Sequence, residues 1–185
     1  TGKTVTPTST TKLLKDSKSY TEDKIFSRGQ FYLTPFKEHH IDEVYKNLSN
    51  ENKEELYFLG HLDIRKALHE MMSQSQCYLV RKEGEGFMAV TGLWYYEDAD
   101  FPQMFAMFSK DIKNNFQAMA RGSRTLVSFF DQTEAAMTMT IYAKYTFMID
   151  WAAWLGFEPL GITQAGDAEY VEFVRCNPNE NNVYD

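Results

Sequence analysis

The sequence predicts an α/β (α+β) fold, a mixed central sheet with flanking helices, carrying an extended N-terminal arm. Three observations lead there. From Phe26 onward, apolar residues alternate between short β-rich runs and segments of helical spacing. The chain has 185 residues, 43% hydrophobic and 15% aromatic, enough for one domain that buries about 70% of its surface without staples. The first 28 residues carry six Lys or Arg against three carboxylates, although the whole chain has a net charge of −7.

The arm comes first in the chain. Seven of the first eleven residues are Ser or Thr, with Pro7 among them, and Tyr20 is the only aromatic before Phe26. Such a segment buries too little apolar surface to offset its ordering entropy, so it is expected to order only on a partner. The expected organisation is an arm over 1–30, a domain over 31–176 and a polar tail over 177–185.

Within the domain, Phe31-Tyr32-Leu33 closed by Thr34-Pro35 reads as a strand, and Ile41, Val44, Tyr45 and Leu48 fall at helical spacing. Ser49-Asn50 caps a short helix through Leu59, stopped by Gly60; Asp63 caps another whose inner face is Ile64, Ala67, Leu68 and Met71. A hairpin follows: Cys77–Val80 and Phe87–Tyr96 flank the turn Glu83-Gly84-Glu85-Gly86. Residues 97–102 break the pattern, and Met104–Phe108 returns as a third long strand.

Residues 111–135 are mostly helical in pattern, with Gly122-Ser123 either starting the main helix or interrupting it. Met137–Ala143 reads as a strand, Thr146–Leu155 as a helix capped by Gly156, and Pro159–Ile162 with Tyr170–Cys176 as closing strands across a 163–169 loop. The aromatic clusters Trp94-Tyr95-Tyr96, Phe129-Phe130 and Trp151 with Trp154 suit either a core or an interface.

Several function classes find no residues to rest on. Cys77 and Cys176 lie in apolar segments without a C-x-x-C pattern and read as small core residues. His39-His40, His61 and His69 lack carboxylates at ligand spacing and are expected on solvated helix faces, so no metal is predicted. No stretch of about 18 apolar residues and no leader-type N-terminus is present, which argues against a membrane span or secretion. A pI near 5.1 argues against direct nucleic-acid binding. No G-x-S-x-G or Walker-type loop occurs.

The order of elements, ending in a short helix and Trp154-Leu155-Gly156-Phe157, resembles the GNAT (Gcn5-related N-acetyltransferase) fold. More closely, several runs are similar to the GNAT-like internal virion proteins of short-tailed bacteriophages. They are Tyr32-Leu-Thr-Pro-Phe-Lys-Glu-His-His-Ile-Asp-Glu-Val44, Asn47-Leu48-Ser49, Glu54-Glu55-Leu56, Arg121-Gly-Ser-Arg124 and Trp151-Ala-Ala-Trp-Leu-Gly-Phe157.

In active members, the resemblance implies, amides of a Q/R-x-x-G-x-G/A turn at a helix N-terminus bind the pyrophosphate of acetyl-CoA. Gln117-Ala-Met-Ala-Arg-Gly122 nearly matches but has Ala120 where the family has Gly. The family's Tyr acid, four residues before the Gly of the L-G-F ending, falls on Ala152, and a cofactor-contacting Asn falls on Tyr145. A base could come only from Glu97 or Asp98, more simply turn carboxylates.

The resulting expectation is a catalytically degenerate structural protein of a phage particle, with no catalytic residue and no cofactor. It would be oligomeric within the assembly and cytoplasmic in the host beforehand. Residues 1–28 would contact other virion proteins, with Lys3, Lys12, Lys15, Lys18 and Tyr20 as contact residues. The alternative is an acetyl-CoA-dependent N-acyltransferase acting on a host or phage amine, with Gln117, Arg121, Gly122 and Ser123 holding the cofactor. A third reading is an adaptor that binds a host protein through its aromatic surface.

Overall fold

A computed structural model describes residues 22–180; the predicted contact residues Lys3, Lys12, Lys15, Lys18 and Tyr20 lie outside the described residues. The chain runs β1 (Phe26–Arg28), β2 (Phe31–Pro35), α1 (Ile41–Asn47), α2 (Asn50–Phe58), α3 (Ile64–Gln74), β3 (Gln76–Lys82), β4 (Gly86–Trp94), β5 (Gln103–Phe108), α4 (Phe116–Asp131), β6 (Ala136–Tyr142), α5 (Thr146–Trp154), β7 (Glu158–Ala165) and β8 (Ala168–Cys176). The strands form one sheet of eight in the order β1-β2-β3-β4-β5-β6-β8-β7. The mixed α/β class read from the sequence is the one observed.

Neighbouring strands pair antiparallel except β5 and β6, which run parallel and share a single register pair, Gln103 with Thr138. Beyond that pair the two strands diverge, and the sheet is split at its centre. Strand β4 is buried along nearly its whole length, which fits a central strand covered on both faces. One face carries Phe36, Ile41, Val44, Leu48, Leu56 and Leu68 from the α1–α3 side. The other packs Met119, Leu126, Val127 and Phe130 of α4 and Met148, Trp151 and Ala152 of α5. Gly92 is required where β3 and β4 meet, because a Cβ there would lie 1.9 Å from the Gln76 carbonyl oxygen.

The structure corrects several expectations. The sheet begins at Phe26, since β1 pairs with β2. The closing strands are longer than their apolar cores suggested: Thr163 to Gln164 continue β7, and the turn shrinks to Gly166-Asp167, with Gly166 at φ +62°. Gly122-Ser123 neither starts nor interrupts α4, which is continuous across it. Cys77 is buried as expected and its thiol pushed up to about 12 by desolvation, but Cys176, the last residue of β8, is exposed. His40 is buried rather than solvated. Among the described residues no helix is long and apolar enough to cross a membrane.

Candidate functional site

The split between β5 and β6 opens a cleft of about 350 Å³ on the α2–α3 side of the sheet. Its walls come from α2 (Glu55, Leu56), α3 (Glu70, Met71), β5 (Met104, Met107), β6 (Met139, Ile141) and β8 (Tyr170). A helix that starts at Ser49 sets the position of Glu55. The Ser49 hydroxyl accepts the Asn52 amide at 3.2 Å as an N-cap, and Asn52, fully buried, lies one turn before Glu55 and Leu56 on the inner face. Glu55 is half-buried, desolvation drives its carboxyl up to about 7, and the Asn52 amide NH, 3.1 Å from Oε2, only partly opposes this. The Tyr170 hydroxyl, also raised to about 12 by burial, donates to the Glu55 backbone carbonyl at 3.3 Å.

At the far end of the split, the open edge of β5 is taken by the chain itself. The Phe108 N–H donates to Asn52 Oδ1 at 2.8 Å, and the Phe108 carbonyl accepts the Ser49 N–H at 2.9 Å. Leu48 and Ser109 form an isolated antiparallel bridge beside them. A donor and acceptor on one residue of a strand point to one side; here that side faces β6, so residues 48–52 plug the mouth of the split. Tyr145, the residue before α5, is buried beside Ser49 and raised to about 12 by its burial.

The segment leading from β5 into α4 is similarly spent. The amides of Ser109 and Lys110 bond the carbonyls of Met88 and Asn47, Asp111 donates to Ser109 Oγ, and Ile112 and Asn114 close local turns. The predicted cofactor residues follow inside α4. Gln117 and Arg121 are exposed on the outer face near Trp154. Amides from Ala120 onward lie past the first helical turn and are bonded within it. Gly122 faces inward, and Ser123 is core: its hydroxyl donates to the Met119 carbonyl at 2.8 Å and accepts the Trp151 indole N–H at 2.9 Å. The four residues therefore do not converge, and the amides of Ala120, Arg121 and Gly122 are bonded within the helix. Placed in this way, Gln117, Arg121, Gly122 and Ser123 do not form a pyrophosphate cradle.

Ala152 is fully buried at the position where the resemblance places an acid, and Glu97 and Asp98 are exposed turn residues. One metal-like grouping exists among the described residues: single ligand atoms of Glu22, His39 and His40 lie within 4.8 Å of one another. His40 Nδ1 accepts the Lys37 amide at 3.0 Å, so Nε2 carries the proton and donates to Glu22 Oε1 at 2.9 Å. Glu22 also accepts the Tyr32 hydroxyl at 2.6 Å and lies 3.4 Å from the Arg81 guanidinium. A divalent ion would have to displace that cation and both bonds; the grouping is a structural network.

Sequence reasoning missed Glu55 and Asn52. The usable signal was the i, i+3 polar ladder Ser49–Asn52–Glu55 directly beside Leu56 on the helix's inner face.

No family model and no curated protein sequence matches the chain. Solved structures do. A GNAT-family acetyltransferase from Bacillus anthracis superposes at TM-score 0.63 with 12% identity, covering 82% of this chain and 97% of that one. RimL, a ribosomal L7/L12 alpha-N-protein acetyltransferase in an apo crystal form, gives 0.65 with 11% identity over 85% and 96%. Spermidine N-acetyltransferase from Vibrio cholerae, in complex with CoA and spermine, gives 0.60 with 10% identity over 80% and 96%. At such identities the likeness is one of fold, and the chain has the fold of the GNAT-family acetyltransferases.

Proposed function

We propose that this chain uses the acetyltransferase fold for binding rather than for acetyl transfer. The observation that carries the reading is the plugged strand edge: both polar groups of Phe108 at the mouth of the β5–β6 split bond Ser49 and Asn52. A cofactor approaching there finds both polar groups of Phe108 already bonded, and in α4 the amides from Ala120 onward are bonded within the helix. The setting, a bacteriophage particle in which residues 1–28 tether the body to neighbouring virion proteins, rests on the sequence resemblance and on the basic arm of an acidic chain. Residues Lys3, Lys12, Lys15, Lys18 and Tyr20 would make those contacts.

A second reading, an acetyl-CoA-dependent N-acyltransferase acting on a host or phage amine, is favoured at the level of fold by the acetyltransferase neighbours. It is also favoured by Glu55, whose acidity suits proton transfer near neutral pH. The plugged edge favours the first.

Incubation with radiolabelled acetyl-CoA and a panel of amines, peptides and lysate proteins tests the choice. The binding reading expects no transfer above a heat-treated control; labelled product that depends on the folded chain establishes the enzyme. Deletion of residues 1–28 tests the setting, with loss from particles expected and normal incorporation of the truncated chain removing the tether.

A further inference from the structure

The opposite face of the sheet, under α4, encloses a second space. On that face Leu33, Val80, Ala89 and Phe108 stand opposite one another in one cross-strand row, and Tyr78, Thr91 and Ala106 in the next. The rows narrow to Ala89, Thr91 and Ala106 on β4 and β5, and α4 lays Ala118 and Gly122 over the same space. Small side chains on both sides leave a pocket of about 50 Å³. Its entrance lies between the β1–β2 hairpin and α4, where Arg28 and Ala118 are exposed and Phe31 and Gly122 half-buried.

The hydroxyls on the lining already have partners. Thr91 donates to the Phe105 carbonyl at 2.8 Å, Ser123 is held between Met119 and Trp151, and Tyr32 donates to Glu22 at 2.6 Å. Water inside would find few groups to bond, so the space suits an apolar guest.

Gly122 points the same way. It lies within α4 on ordinary helical backbone, where glycine is among the poorest residues. A Cβ there would meet no heavy atom within 4 Å, so no protein neighbour demands the glycine. Its effect is to keep the pocket open at a cost to the helix.

The entrance carries one charge. Arg28 Nη1 donates to Thr125 Oγ1 at 2.9 Å and to the Arg121 carbonyl at 3.2 Å, which places the guanidinium beside the turn that holds Gly122. Its other N–H groups have no acceptor among the described residues, and no carboxylate lines the pocket. A carboxylate at this point would gain charge-assisted hydrogen bonds from a planar fork.

We propose that this pocket binds a short-chain carboxylate, its alkyl end under Gly122 between Ala89 and Ala106 and its carboxylate on Arg28. The volume holds about four water-sized spheres, which sets the alkyl part at roughly a branched four-carbon chain. The site lies on the other face of the sheet from the β5–β6 cleft and does not depend on the plugged edge.

The test is methyl NMR titration of the full chain with 3-methylbutanoate, 3-methyl-1-butanol and 3-methylbutylamine. The carboxylate is expected to shift the Ala89, Ala106, Ala118 and Met119 methyl resonances together and saturably. The alcohol should bind at least about tenfold more weakly, and the amine more weakly still. Arg28→Gln should bring the carboxylate down to the level of the alcohol, and unchanged alcohol binding would show that the pocket is intact. Gly122→Ala should raise the melting temperature by about 2–4 °C while weakening carboxylate binding at least about fourfold. Saturable binding of none of the three, equal affinity for carboxylate and amine, carboxylate binding unaffected by Arg28→Gln, or a lowered melting temperature in Gly122→Ala would each overturn the proposal.

Discussion

Two carboxylates on opposite halves of the sheet meet opposite fates. Glu22 precedes β1 and is drawn into a network: burial works against its charge, but the Tyr32 hydroxyl, His40 and Arg81 outweigh that and hold its pKa below the usual carboxylate value. Glu55 sits on the cleft wall with a single amide and is pushed up to about 7 by desolvation. The same residue type is an anchor where both carboxylate oxygens have partners and a poised group where only one does. The difference separates a part of the fold that serves stability from a part with capacity left for a ligand.

Substitutions sharpen that comparison. The largest loss is expected at Glu43, whose Oε2 binds Arg81 at 2.7 Å while Oε1 accepts the Phe87 amide at 3.0 Å. Glu43→Ala leaves a half-buried guanidinium and an amide without their partner, and should cost about 3 kcal/mol in urea unfolding. A cost below about 1 kcal/mol would mean that the network is loosely held.

On the cleft side the sign reverses. With a folded pKa of about 7 against 4.5 when unfolded, Glu55 binds its proton more tightly in the native state. Its contribution is therefore favourable below pH 4.5, declines as pH rises from there through 7, and amounts to a loss of about 3 kcal/mol above that. Glu55→Gln should flatten this decline, so that the variant is the more stable protein at pH 8; a wild-type profile that does not fall from pH 4.5 to 7 relative to the variant would contradict the assignment.

Asn52→Ala strikes between the two regions. It leaves the Phe108 N–H buried without an acceptor and removes the one bond to the Glu55 carboxyl. About 2 kcal/mol of stability should be lost, with the Glu55 titration moving further upward in carbon-detected NMR.

The smallest effect belongs to Glu22→Gln, about 1 kcal/mol at neutral pH. Because the Glu22 pKa is lowered, that stability exists above about 4.5 and disappears as pH falls through the folded value. His40, whose pKa is lowered by burial against the pull of Glu22, adds a second loss as pH drops below about 6.5. Urea midpoints for wild type and variant should therefore converge in acid.

The sequence revealed the fold better than the site. Periodicity located the hairpin of β3 and β4, the Ser49 and Asp63 caps, and the Gly156 stop, because each is a local device with a local signature. The extent of β7 was hidden because its residues are exposed on both faces and show no alternation. Burial of His40 depends on Glu22, 18 residues away, and on Arg81, 41 residues away, separations that no window detects. Glu55 stands in the sequence as one of several acidic residues between 51 and 55; only the parallel pairing of β5 with β6, broken after a single register pair, turns the inner face of α2 into the wall of a cleft. The departures at Ala120, Ala152 and Tyr145 were visible as letters, but the plug formed by residues 48–52 was not.

The most direct test of the plug is thermal unfolding of the full chain with and without 1 mM acetyl-CoA. A ligand bound at about 10 μM would add about 2.7 kcal/mol, or roughly 5–10 °C for a chain of this size. The plugged edge predicts no shift in the melting temperature. An upward shift of that size would show that the cofactor finds a route past Ser49 and Asn52, and would contradict the account.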